Sequence, residues 1–383
     1  MQYRRLGHFD HSVSILGMGC MRLPVIDGNE SRIDEARASE LLYRAIDRGI
    51  NYFDTAYPYH QGHSETFLGR ALERNGLRNR VQLASKLPSW AIESPKDFDR
   101  YLNEQLQRLR TDHIDCYLLH ALKSDWWTKL YDLGVLDFLD RAIADGRIGC
   151  AGFSFHDELP LFKTIVDAYD WSFCQIQYNY MDEEIQAGRV GLEYAAAKGL
   201  GVIVMEPLRG GHLARPAPPE IQRLWDRAAV QRSPAEWALR WVWDRPEVTC
   251  LLSGMNDLSQ LEENCHLAGT VQPDSLSNEE KALTNEVRDQ LRHRIKVPCT
   301  ACGYCLPCPA GVNIPRIFSI YNDCFIYGDQ RFPHRIYTIT MNASDLASNC
   351  TRCGQCEAAC PQHIQIMDML EEAHRVLSEK PED

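Results

Sequence analysis

The chain has 383 residues, 44% of them hydrophobic, which suits one large domain plus a smaller one with a sizeable buried core. A formal net charge of −12 excludes the basic field that gathers nucleic-acid phosphates. No stretch approaches the roughly 18–20 apolar residues of a membrane span, and "MQYRRLGHFDHS" lacks a signal peptide's apolar run, so a soluble, cytoplasmic protein is expected.

From residue 13 to about 268, short apolar runs alternate with amphipathic helical stretches. The runs are "VSILGMGC", "INYFDTA", "VQLASKL", "IDCYLLHA", "GCAGFSF", "FCQIQY", "GVIVMEP" and "VTCLLSG". Near-continuous apolar strands between helices indicate a parallel sheet covered on its faces. Eight of them over roughly 250 residues predict a (β/α)8 TIM barrel, an α/β fold. An open doubly wound sheet is the competitor. It would want G-x-G-x-x-G after the first strand, and "GMGCMRLP" lacks that spacing. The connection after the first strand and the stretch 209–233 are long, as loops that build a barrel's active site are. The division expected is a barrel over 1–272, a linking helix over 273–297 and a smaller, mainly helical cysteine-rich domain over 298–383.

Polar groups at strand C-terminal ends mark the place for chemistry. The second run holds Asp54, with Tyr59 five residues on; the third holds Lys86 and the fourth His120. Singly these read as a cap, a surface cation and a core histidine. Together they suit one task. A phenol titrating near 10 is a poor acid at neutral pH, an adjacent ammonium lowers its pKa, and an aspartate fixes that ammonium. A histidine alongside can hydrogen-bond a substrate oxygen, giving a proton donor for a carbonyl that receives hydride. Tyr57, Trp90, Trp126 and Trp127 either grip a substrate or pack loops.

Several stretches in order carry a resemblance: "VSILGMGCMRLP", "GINYFDTAYPYHQGHSETFLGRAL", "ASKLP", "LNEQLQRLRTDHIDCYLLHAL", "AIADGRIGCAGFSF", "CQIQYN", "MEPLRGG" and "LLSGMNDLSQLEEN". Over about 1–270 the chain resembles the aldo-keto reductase superfamily. The resemblance implies that Asp54, Tyr59, Lys86 and His120 form a catalytic tetrad with Tyr59 as general acid, acting with NADP(H) or NAD(H) on a small carbonyl or alcohol. It places Gly19 and Cys20 under the nicotinamide, and Ser154 and Gln175 at its carboxamide. Pro207, Leu208, Arg209, Gly210 and Gly211 run along the pyrophosphate, and Gly254, Gln260, Glu263 and Asn264 face the adenosine. Phe155 stands where an Asn is usual, Met205 where an aromatic often stacks, and Gly254 and Gln260 replace cations that meet a 2′-phosphate. The last change leaves NADH preference open, with Arg209 a partial substitute.

Of fifteen cysteines, eight fall in two C-terminal runs; the other seven, Cys324 among them, read as small buried hydrophobes. Cys350, Cys353, Cys356 and Cys360-Pro361 fit the iron–sulfur spacing C-x2-C-x2-C-x3-C-P, in which the fourth cysteine serves the other cluster. Crossed ligation assigns one [4Fe–4S] cluster to Cys299, Cys302, Cys305 and Cys360, and a second to Cys350, Cys353, Cys356 and Cys308. Cys308 comes one residue early, and paired zinc sites are the alternative. The segment between the runs reads as helix, so a helical, ferredoxin-like dicluster module is expected. Its clusters either accompany an ordinary carbonyl reductase or exchange electrons with a partner protein. The other reading is an electron-transfer or redox-sensing subunit whose barrel mainly binds nucleotide.

Overall fold

The computed structural model describes residues 1–9 and 11–380. A two-stranded antiparallel hairpin, β1 (Tyr3–Arg5) and β2 (Ser12–Ser14), precedes eight parallel strands. These are β3 (Leu16–Gly19), β4 (Tyr52–Asp54), β5 (Gln82–Leu87), β6 (Ile114–Leu122), β7 (Ile148–Phe155), β8 (Phe173–Gln177), β9 (Gly201–Met205) and β10 (Val248–Ser253). They pair in sequence order and β10 closes on β3, so the sheet is a barrel with no free edge. The run "VSILGMGC" therefore serves two elements: Ser12–Ser14 belongs to the hairpin and Leu16–Gly19 to the barrel. Leu6 and Val13 of the hairpin segment join Tyr52, Cys116, Leu118, Cys150, Phe173 and Cys250 in one buried cluster.

Local chemistry sets the helix limits. Helix Pro95–Leu109 starts on a Ser94/Asp97 capping box with Pro95 in its first turn. Helix His63–Arg74 lies so close to it that a Cβ on Gly69 would stand 2.5 Å from the Arg108 carbonyl oxygen. That approach brings residues of the two helices within hydrogen-bonding reach behind β5.

The described chain forms two compact units, Met1–Pro207 with Leu239–Ser275, and Leu208–Ala238 with Leu276–Asp383. Residues 208–238, which the sequence division places with the barrel, thus group with the cysteine-bearing chain. The second unit holds helices Pro219–Trp225, Asn278–Arg294, Ile314–Tyr327 and Ile366–Ser378. Its core is built from Val312, Ile317, Phe318, Tyr321, Leu370 and Leu377. Ion pairs Arg227–Glu286 at 2.9 Å and Arg232–Glu280 at 2.5 Å hold the 208–238 segment to helix Asn278–Arg294. No described helix is long and apolar enough to cross a membrane.

Candidate active site

The register of the barrel brings the polar strand-end residues together. Asp54 on β4 pairs with Ala84 on β5, two residues before Lys86; Lys86 pairs with Leu118 on β6, two residues before His120. A stagger of two residues per strand preserves the facing direction of side chains, so all three point the same way. His120 lies within a register break between Leu119 and Leu122, where Ala121 has φ 53° and donates its N–H to Ser154 Oγ at 2.7 Å. Such a bulge re-aims the strand at its end.

Lys86 Nζ donates to Asp54 Oδ1 at 2.6 Å and to the Thr55 carbonyl oxygen at 2.8 Å, and lies 3.4 Å from the Tyr59 hydroxyl. Its third direction thus faces the phenol. The Tyr59 and His120 rings sit 6.0 Å apart and nearly perpendicular. Asp54, Lys86 and His120 are all buried. Burial draws the Lys86 ammonium below its ordinary value of 10.5, opposed by Asp54. Burial, then the Lys86 and His156 charges, hold His120 well below its ordinary 6.5, so its ring is neutral near pH 7. The arrangement can keep a cation against a phenol and offer a neutral imidazole N–H beside it.

Tyr59 rides on a turn in which His60 and Gln61 have φ of 52° and 53°. The buried His60 secures it: Nε2 accepts from Leu23 N–H at 3.2 Å, and Nδ1 lies 2.9 Å from the Glu30 carbonyl oxygen. Trp90 packs against the His120 ring at 5.2 Å and against Trp126 at 5.9 Å. Trp127 instead is buried against Tyr131, and Tyr57 bonds Glu104 beneath Arg108. Of the four aromatics, Trp90 and Trp126 adjoin the polar group.

The other strand-end positions fall as follows. Gly19 ends β3, and Cys20 is buried, its N–H donating to the Asp54 carbonyl oxygen and its thiol pushed up to about 12 by burial. Gln175 pairs in register with Ser154, and its Oε1 is buried with no partner among the described residues. That acceptor suits the amide hydrogens of a carboxamide, so the residues fit a nicotinamide there. Gln260 Oε1 accepts from Asn256 N–H, and Asn264 Nδ2 donates to Ser253 Oγ at 3.1 Å. A Cβ on Gly254 would meet the Arg22 side chain at 3.2 Å. Glu263 lies in the same helix, Leu258–Thr270. Pro207 ends the first unit's segment. Leu208 begins the second, followed by Arg209, Gly210 and Gly211 with φ of 48°, 68° and 91°. Phe155, where an Asn is usual, is buried against Phe162.

Sequence reasoning missed two groups. Arg22 lies in a loop without periodicity, and only its place beside Gly254 singles it out. Glu65, fully buried, accepts from Ser85 Oγ and Gln105 Nε2 at 2.6 Å each and pairs with Arg108 at 3.3 Å. Gln105 Nε2 also reaches the Lys86 carbonyl oxygen at 3.1 Å, so this network backs the strand that carries the lysine.

In the second unit, one cavity is lined by Cys305, Cys308, Cys350, Cys353 and Cys356, and another by Cys299, Cys302, Cys305 and Cys360. None of the eight is in a disulfide. The two runs share one local conformation. Ala301 and Arg352 have φ of 54°, Gly303 and Gly354 have φ of 78° and 76°, and the Ala301 and Arg352 N–H groups each approach the preceding cysteine's sulfur, Cys299 or Cys350, at 3.4 Å. Among the described residues no three His, Cys, Asp or Glu close on a single ion position; the sulfurs surround volumes instead. A thiolate donor set around a cavity, with amides directed at sulfur, fits an iron–sulfur cube.

A sequence model described as the aldo/keto reductase family matches residues 15–279, and one described as a 4Fe-4S dicluster domain matches residues 298–365. The chain is 26% identical over 304 residues to the uncharacterized oxidoreductase YrpG of Bacillus subtilis, covering 69% of this chain and 90% of that protein. It is 30% identical over 228 residues to 6-dehydroglucose reductase of Novosphingobium aromaticivorans, covering 56% and 71%. Among solved structures, aldo-keto reductase AKR11C1 from Bacillus halodurans in its holo form superposes with a TM-score of 0.62 at 26% identity, over 75% of this chain and 96% of that one.

Proposed function

The chain belongs to the aldo/keto reductase family and carries a 4Fe-4S dicluster domain, and we propose that it is a nicotinamide-dependent oxidoreductase that reduces a small carbonyl compound or oxidises the matching alcohol. The observation that carries this reading is Lys86 Nζ held by Asp54 at 2.6 Å and lying 3.4 Å from the Tyr59 hydroxyl. A nicotinamide supplies or accepts the hydride when bound.

The chain's own residues manage the rest. His120, neutral through burial, donates an N–H to the substrate oxygen and orients it toward Tyr59. As negative charge grows on that oxygen, Tyr59 gives up its phenolic proton, and the adjacent Lys86 ammonium stabilises the phenolate left behind. Asp54 and the Thr55 carbonyl oxygen hold two of the ammonium's donors, so the charge stays aimed at the phenol. Trp90 and Trp126 shield the site from water and favour a substrate with an apolar flank. Gln175 and Ser154 hold the carboxamide, Pro207 through Gly211 run along the pyrophosphate, Gly19 and Cys20 underlie the ring, and Gly254, Gln260, Glu263 and Asn264 face the adenosine. Arg22, beside Gly254, restores the positive charge that positions 254 and 260 lack.

The cysteines ligate two [4Fe–4S] clusters, which supply one-electron transfer when bound: Cys299, Cys302, Cys305 and Cys360 for one, Cys350, Cys353, Cys356 and Cys308 for the other. The cavity linings support this crossed assignment. A second reading, exchange of electrons with a redox partner protein, is favoured by the exposure of Cys353 on its cavity. The test is anaerobic purification with iron and sulfide analysis, followed by NADPH and NADH oxidation against a panel of small aldehydes and ketones. Turnover with an iron-replete protein supports the first reading. Cluster bleaching by a reductant with no nicotinamide-dependent turnover favours the second.

A further inference from the structure

The stretch after Pro207 is unusual in its backbone. Arg209, Gly210 and Gly211 follow one another in the left-handed region, and Arg209 carries a side chain there. A non-glycine residue in that region costs about 1 kcal/mol or more and persists only when its surroundings hold it. Among the described residues nothing lies within 4 Å of a Cβ placed on Gly211, so its glycine answers to φ and not to crowding. Leu208 accepts from the N–H groups of Gly211 and Leu213, closing the stretch on itself. What fixes its far end lies on helix Ile314–Tyr327.

Arg215 Nη1 donates to Asp323 Oδ1 at 3.0 Å and Nη2 to Ser319 Oγ at 3.0 Å. Those acceptors are four residues apart, one helical turn, so the guanidinium fork spans them on one face. The next residue is held too, Tyr327 Oη donating to the Pro216 carbonyl oxygen at 3.2 Å. Beyond it, Arg294 bonds the Ile326 carbonyl oxygen at 3.0 Å and Glu220 at 3.4 Å, binding a third segment to the same helix end. At the other end of this 14-residue helix, Ile314 lines both cysteine cavities and Phe318 lines one. One rigid rod of roughly 20 Å therefore joins the cysteine cavities to the end of the left-handed loop.

We propose that Arg215 and Asp323 are positioning residues for nicotinamide binding, holding the Leu208–Ala214 loop in its bound conformation from the helix that walls the iron–sulfur cavities. The proposal rests on the reading that Leu208 through Gly211 contact the pyrophosphate. Its consequence is that the helix walling the cysteine cavities holds residues 208–214 within their own unit, whether or not electrons pass to the substrate. Pre-ordering such a loop removes an entropy cost from each binding event.

The test uses iron-replete protein, purified anaerobically, with Arg215→Gln, Asp323→Asn and the double variant. Dissociation constants for NADPH and NADH are measured by tryptophan quenching, and amide hydrogen exchange is followed over 208–214. Each single change is expected to raise the dissociation constant roughly three- to tenfold, with the double no worse than the weaker-binding single, because both break the same ion pair. The iron content stays that of the parent, kcat holds while the nucleotide KM rises, and exchange over 208–214 quickens. Arg215→Lys recovers part of the affinity. Dissociation constants within about 1.5-fold of the parent in both singles overturn the proposal. Should the parent bind neither nucleotide, the functional reading fails, and exchange over 208–214 alone decides: faster in the variants upholds the clamp, unchanged overturns it.

Discussion

Lys86 Nζ lies 3.4 Å from the Tyr59 hydroxyl while Asp54 takes another of its donors at 2.6 Å, all inside a barrel mouth from which Asp54 and Lys86 are almost fully shielded. A buried ammonium with two acceptors and a phenol is a directional device. In water the same groups would be screened and free to rotate; here the strand register fixes them.

Glu65 supports that register from behind. Its carboxylate accepts from Ser85 and Gln105 and pairs with Arg108, with no exposure of its own. Glu65→Ala should cost about 3 kcal/mol of stability, because it removes the buried carboxylate that Ser85, Gln105 and Arg108 share. Urea unfolding of the variant checks this. A midpoint unchanged from the parent would show that the network contributes nothing.

His156 follows β7, is buried, and has a pKa pushed down to about 4 by burial, with Gln186 hydrogen-bonded and Lys123 adding repulsion. The unfolded chain protonates this ring near 6.5, before the folded one does, so its contribution to stability is full above that value and is lost as pH falls toward 4. Over that window the difference amounts to roughly 3 kcal/mol. His156→Gln should therefore flatten the decline of the urea midpoint between pH 6.5 and 4. Parallel declines for parent and variant would contradict the assignment.

Arg22 stands where a Cβ on Gly254 would touch it, close to positions that lack the usual cations. Arg22→Gln should raise the KM for NADPH about tenfold and that for NADH by little, since a charge-assisted bond to a phosphate dianion is lost only in the former. Equal changes for both nucleotides would remove Arg22 from the 2′-phosphate.

Cys308 and Cys353 line one cavity, and Cys302 and Cys360 the other. Cys308→Ser should therefore perturb the same cluster signal in low-temperature EPR as Cys353→Ser, and leave the one altered by Cys302→Ser. Iron analysis should show a loss of about four atoms at most in each variant. Grouping of Cys308 with Cys302 would mean that ligation is not crossed.

Much of this was legible in the residues. Eight apolar runs separated by amphipathic stretches specify a closed parallel barrel, because strands buried on both faces cannot alternate in polarity. Asp54, Lys86 and His120 could be picked out because each closes such a run. The hairpin Tyr3–Arg5 with Ser12–Ser14 could not: its short strands are mostly polar and their pairing is set by tertiary contact. Glu65 could not either: it stands in a helix's first turn, and its ion-pair partner Arg108 is 43 residues away. The grouping of 208–238 with the C-terminal unit depends on pairs such as Arg215–Asp323, 108 residues apart, which no local pattern announces.

The central claim is that Tyr59 donates the proton during carbonyl reduction. The most direct measurement is single-turnover oxidation of bound NADPH by a small aldehyde, comparing the parent with Tyr59→Phe in iron-replete protein. The account predicts a rate lower by roughly a hundredfold or more, with NADPH affinity retained. A rate within about twofold of the parent would contradict it.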